Sequence, residues 1–133
     1  MEKTYLTFEE LEIWNVGMEV CYSIYDNMRS CHDFGLKNQM ERSAVSIPSN
    51  ISEGYELSSD RAFIRHLYIA KGSCAELRTQ LYIANRQKYI SPEVGIQLIN
   101  RTKVLSGMIQ KFIDARKKRI IRAALKLVFS FLY

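Results

Sequence analysis

The chain is poor in residues that break or cross-link regular structure. Two prolines and six glycines in 133 residues supply too little turn chemistry for an all-β fold of many short strands. Three cysteines, Cys21, Cys31 and Cys74, are odd in number and form no C-x-x-C pair, which argues against a disulfide framework and a cysteine zinc site. Cys21 and Cys74 fall on apolar stripes and read as small buried hydrophobes. No run of roughly eighteen residues is apolar and uncharged, so no membrane span is expected. The opening MEKTYLTFEE lacks the basic and apolar regions of a signal peptide. These absences predict a cytoplasmic protein that neither spans a membrane nor carries a cofactor.

Charge is unevenly placed. The net +5 belongs to the end of the chain: residues 1–114 hold 13 Lys and Arg against 14 Asp and Glu. Residues 115–133 hold Arg116, Lys117, Lys118, Arg119, Arg122 and Lys126 with no acid. The basic balance is thus a property of a tail, and bulk charge does not by itself make the whole fold a nucleic-acid binder.

What the chain has in quantity is helical periodicity. Thr7-Phe8-Glu9-Glu10 has the form of a capping box. After it Leu11, Trp14, Met18, Cys21, Tyr25 and Met28 recur at 3-4 spacing, which predicts a first helix to about Arg29. Asp33 is placed to cap a second helix ending near Gly54. Ser58 or Ser59 caps a third, whose row is Phe63, Leu67, Ala70, Cys74, Leu77 and Leu81. Ser91-Pro92-Glu93 opens a fourth with a cap, a first-position proline and an acid at the positive dipole end. Val94, Leu98, Leu105, Met108 and Phe112 continue it, with Arg101 in the seam. The connections are short, so the expected fold is all-α: an antiparallel up-down four-helix bundle over residues 1–114. Residues 115–133 form a basic then apolar tail, either a helical extension or partly disordered. Pro48 lies inside the second helix, where it should produce a kink, with Ser43, Ser46 and Ser49 small enough to let another helix approach.

With the helices placed, two motifs resemble a known family. Gly35-Leu36, then Gln39 through Gly54 (QMERSAVSIPSNISEG), resemble the core motif of the 23S rRNA intervening-sequence proteins, also called the four-helix bundle protein family. Phe63, Leu67, Ile69-Ala70, Gly72-Ser73, Glu76-Leu77 and Gln80-Leu81 resemble its second motif, and Leu11 to Trp14 its opening. The resemblance runs from about Phe8 to about Phe112. Glu41 departs from it, standing where the family usually has a basic or neutral residue, and the tail after Asp114 matches nothing in it. The resemblance implies a small bacterial cytosolic bundle without enzymatic activity, in some members a ring-shaped pentamer. A similar family of bundles serves as the accessory partner of a retroelement reverse transcriptase through a basic ring surface.

Within that frame, Arg42, Pro48, Asn50, Glu53, Gly54 and Glu76 read as structural motif residues, with Arg42 expected to meet an acid across the bundle. Catalysis by the two glutamates would need a carboxylate pair or a metal. The Glu-x-x-His pairs of a di-metal bundle are missing, and His32 and His66 have no matching ligands, so no catalytic or metal site is expected.

The outer face of the third helix, at 100° per residue, gathers Arg61, Ile64, Arg65, Tyr68, Gly72, Ala75, Tyr82 and Arg86. Two readings fit. Ile64, Tyr68, Gly72 and Tyr82 form an interface between subunits of a homo-oligomer. Alternatively, arginines and tyrosines contact RNA phosphates and stack on bases, Arg61, Arg65 and Arg86 with Arg116, Lys117, Lys118 and Arg119 supplying the charge. In a ring both could hold. The tail itself reads as an RNA-binding extension, a membrane-surface anchor or an oligomer-packing terminus, and its apolar end should be covered by another subunit or partner.

Overall fold

A computed structural model of the chain describes residues 7–133. After a single 3-10 turn, Phe8–Glu10, four helices follow: α1 (Glu12–Met28), α2 (Phe34–Glu56), α3 (Asp60–Arg86) and α4 (Pro92–Leu132). No strand occurs among the described residues. The fold is the all-helical, four-helix one that the sequence predicts.

The starts follow the local chemistry. The carboxylate of Glu10 accepts from the Thr7 amide at 3.0 Å, but this cap closes only the short turn. Leu11 is extended, and α1 begins one residue later. Asp33 caps α2 by accepting from the Leu36 amide, Ser59 caps α3 through Ala62, and Ser91 caps α4 through Val94. Each satisfies an amide that the first turn of a helix leaves without an internal partner.

Neighbours along the chain are neighbours in space. α2 packs on α3 and α3 on α4 over most of their lengths, α1 packs on α2, and α1 closes on α4 more briefly. Between α3 and α4, Asp60 meets Arg116, Lys71 meets Gln110 and Arg78 meets Thr102, so each later residue of α3 meets an earlier one of α4. At the far end the Tyr89 hydroxyl donates to the Asp33 carboxylate and ties the α3–α4 connection to the α1–α2 connection.

The core is built from one row per helix. On α3 it is the predicted row, Phe63 to Leu81, all buried. On α1 and α4 the buried rows lie beside the expected ones. α1 buries Ile13, Gly17, Val20, Ile24 and Met28, while Trp14 and Met18 are half-buried and Tyr25 is exposed. α4 buries Leu98, Thr102, Leu105, Ile109 and Ile113, leaving Met108 and Phe112 half-buried. Thr102 fits this row because its hydroxyl donates to the Ile99 carbonyl at 2.6 Å and accepts from Arg78. Arg101 then turns outward to Glu19, 2.7 Å away.

Pro48 lies inside an unbroken α2 and is buried. The α1 residue against it is Gly17: a Cβ there would stand 3.5 Å from Ile47 Cγ2 and 3.7 Å from Pro48 Cβ. Those are ordinary packing distances, so the glycine leaves room for a methyl group. Gly17→Ala should therefore stabilise the fold by about 0.5–1 kcal/mol, through helix propensity and a stiffer unfolded chain. A lower urea midpoint for this variant would mean that α1 and α2 sit closer than these distances.

All three cysteines are buried and free. Burial pushes the Cys74 thiol up to about 12 and raises Cys21, with the nearby Glu41 adding to the rise. A thiol held protonated is a poor nucleophile, so Cys21 and Cys74 act as packing residues.

Candidate nucleic-acid and subunit surface

The motif around Pro48 is an interhelical contact. Ser46, Asn50 and Glu53 recur along the α2 edge facing α3. The Ser46 and Ser73 hydroxyls are 2.8 Å apart. The Asn50 side-chain amide donates to the Ser46 carbonyl and hydroxyl, which turns its oxygen toward His66 Nδ1 at 3.0 Å. With that oxygen as acceptor, Nδ1 carries the hydrogen. Glu53 stands 3.9 Å from the same nitrogen. Gly54 follows immediately, and a Cβ there would lie 2.5 Å from His66 Cβ.

This network accounts for His66, which is buried with a partner rather than a metal. Among the described residues no group of His, Cys, Asp and Glu could hold a metal ion. Arg42 differs from expectation: it is exposed and makes no ion pair among the described residues. Glu76 is exposed and accepts weakly from Gln80 at 3.5 Å.

The residues proposed for the outer surface fall into two groups. Around the end of the bundle where α4 leaves it, Arg61, Arg65 and Lys118 are exposed without an ion pair among the described residues. Arg116 is committed elsewhere: it donates to Asp60 at 2.8 Å, stacks over the Phe63 ring at 4.8 Å and is largely covered. Arg119 shares Asp60 at 3.5 Å. Lys117 donates to the Tyr68 hydroxyl at 2.6 Å and lies over its ring, and that bond raises the ammonium above its ordinary pKa. Arg86 stands more than twenty residues further along α3, over 30 Å away at about 1.5 Å per residue, and does not join the cluster.

Tyr68 and Tyr82 are both exposed, Ile64 is half-buried, and Gly72 between the tyrosines has nothing within 4 Å of a built Cβ. Gly107 on α4 is equally open, close to the level at which Lys71 meets Gln110.

Charge also divides between the two halves of the chain, and folding places each half on its own side of the bundle. The layer from Thr7 through α2 (residues 7–57) holds nine Asp and Glu against three Lys and Arg, a net −6. Residues 58–133, forming α3 and α4, hold fifteen Lys and Arg against four acids, a net +11. The bundle is acidic on one side and basic on the other.

Four sequential helices around one core, joined by short connections, define the class: an all-helical four-helix protein. The family profile described as 23S rRNA-intervening sequence protein matches residues 9–111, and the chain belongs to that family. Its fold is similar to a crystal structure of a protein of unknown function from the S23 ribosomal protein family of Bacteroides thetaiotaomicron. The TM-score is 0.72 at 24% identity, over 76% of this chain and 97% of the other. No curated protein matches the sequence. The family match stops before the basic tail, which continues α4 as helix to Leu132. No helix among the described residues is long and apolar enough to cross a membrane.

Proposed function

We propose that this protein is a non-enzymatic, self-associating bundle of the bacterial cytoplasm that binds RNA through its α3/α4 side. The observation that carries this reading is the net +11 of residues 58–133, with Arg61, Arg65 and Lys118 exposed and free of ion pairs among the described residues. Guanidinium and ammonium groups free of internal partners are available to phosphates, and each phosphate neutralised releases counterions. Tyr68 offers a stacking face beside them. The family's description, which concerns 23S rRNA, is in keeping with an RNA partner. Photocrosslinking to an rRNA fragment carrying 4-thiouridine tests it: crosslinked peptides should come from residues 61–68 and 115–119. Crosslinks confined to α1 and α2 would contradict it.

A second reading, a protein-interaction scaffold without direct RNA binding, draws on the exposed Tyr68 and Tyr82 around the open Gly72. A ring would bring this face against a neighbouring subunit, and five copies is the number that the family resemblance implies. Nothing in the chain itself opposes a methyl group at Gly72, so Gly72→Ala should raise monomer stability by about 0.5–1 kcal/mol. If a neighbouring helix lies over that glycine, the same change weakens assembly. Urea unfolding and light scattering on one variant separate the two: gained stability with unchanged mass would remove Gly72 from the interface.

A further inference from the structure

α4 continues past the bundle. Arg116 is held at Asp60, where α3 begins, and the helix runs on to Leu132, about 24 Å further at 1.5 Å per residue. Apart from the half-buried Ile120, every residue of this stretch is exposed. α1 begins at the same end of the bundle. It runs back from the 29–33 connection alongside α2, touches it at Gly17 against Pro48, and so starts beside the end of α2. Both α1 and the projecting helix lead away from this end, in opposite directions.

The two helices carry matching patterns. On α1, Glu12 and Glu19 form one exposed edge. Trp14, Met18 and Tyr25 form a partly exposed apolar edge roughly 120° away, with Asn15 and Tyr22 between them, at 100° per residue. On the projecting helix, Arg119, Arg122 and Lys126 form a basic edge. Ile120, Leu127 and Phe131 form an apolar one about 130° away, with the small Ala123 and Ser130 between. Passing from charged to apolar edge turns in opposite senses on the two helices, as parallel helices facing each other require. The spacing agrees as well. Adding 107 to Glu12 and Glu19 gives Arg119 and Lys126, and adding 106 to Trp14 and Tyr25 gives Ile120 and Phe131.

We propose that the projecting helix of one copy packs parallel along α1 of a second copy, and that the exchange is reciprocal about a two-fold axis. A two-fold that inverts one copy turns its α1 parallel to the other's projecting helix, so one operation satisfies both contacts. Arg119, Arg122 and Lys126 then line Glu12 and Glu19, Arg119 through the terminal nitrogens left free by its Nε contact to Asp60 at 3.5 Å, and Ile120 and Phe131 cover Trp14 and Tyr25. Glu19 already receives Arg101 at 2.7 Å, and a carboxylate has acceptor sites for both. Arg61, Arg65 and Lys118 stay outside the pairing, so the RNA surface remains open. The pairing uses α1, not the outer face of α3, and stands or falls apart from the function proposed above.

Charge reversal in pairs tests it by sedimentation equilibrium of the full chain, in a Tyr68→Ala, Tyr82→Ala background that removes any α3-face association. The parent should dimerise. Glu12→Lys with Glu19→Lys should weaken dimerisation at least 10-fold, as should Arg122→Glu with Lys126→Glu, each variant keeping its helical circular dichroism. Mixed one to one, the two variants should form a heterodimer close to parental affinity. A parent that stays monomeric, or a mixture no tighter than either variant alone, overturns the proposal. So does a tail that binds phosphatidylserine vesicles or RNA while the parent shows no self-association.

Discussion

Gly54→Ala should cost the fold about 2–3 kcal/mol, the range of an overpacked core. The added Cβ would stand 2.5 Å from His66 Cβ and 3.4 Å from the Phe63 Cα. Neither atom is the end of a flexible side chain, so relief requires α2 and α3 to part. Parting them stretches the 3.0 Å bond from His66 to Asn50 and the 2.8 Å contact between Ser46 and Ser73, leaving buried polar groups without full partners. Against a typical total of roughly 5–15 kcal/mol this is a large fraction. Urea unfolding followed by circular dichroism should show a lower midpoint with unchanged slope. A change within about 0.5 kcal/mol, the usual effect of a surface substitution, would mean that the α2–α3 approach is looser than described. The contrast with Gly17→Ala, expected to stabilise, makes the pair informative: both glycines are buried in helices, and only one is held by a neighbour that cannot move.

The second large effect concerns the basic surface. Arg61→Glu, Arg65→Glu and Lys118→Glu together should weaken binding to a structured rRNA fragment at least 100-fold at about 0.1 M salt, since three phosphate contacts become repulsions. All three side chains are exposed and make no ion pair among the described residues, so stability should stay within about 0.5 kcal/mol. Arg116 is a poor choice for the same test. Its removal would leave the partly covered Asp60 carboxylate with only Arg119 and confuse folding with binding. An unchanged affinity in the triple variant would remove the α3/α4 end from the RNA surface.

Helix number, order and caps were legible in the sequence because they rest on local chemistry: Asp33, Ser59 and Ser91 each act within three residues of themselves. The α3 row was legible too, because Phe63 through Leu81 carries no charged residue, while the stripe beside it is interrupted by Arg61, Arg65, Gly72 and Arg86. On α1 the larger Trp14, Met18 and Tyr25 suggested a seam one step from the real one, since the real row passes through Gly17, which carries no hydrophobic signal. On α4 Arg101 in the supposed seam was the clue that the true row runs through Thr102. The network of Ser46, Asn50, His66 and Ser73 was not read. Its only local sign is polar residues at 46, 50 and 53 on an otherwise apolar edge, and its partners lie 16–27 residues away in sequence. The cations of the tail were read as one group, and folding divides them: Arg116 and Lys117 find partners 56 and 49 residues earlier, while Lys118 finds none among the described residues.

The measurement that bears most directly on the proposed function is the salt dependence of RNA affinity. Protein stripped of copurified nucleic acid would be titrated by fluorescence anisotropy against a structured rRNA fragment across a series of salt concentrations. With three to five phosphates neutralised, the logarithm of affinity should fall against the logarithm of salt with a slope of about −2 to −4. The charge-reversed triple variant should flatten that slope by about 2. Absence of binding at low salt, or binding with no salt dependence, would contradict an RNA-binding surface and leave the bundle as a protein scaffold.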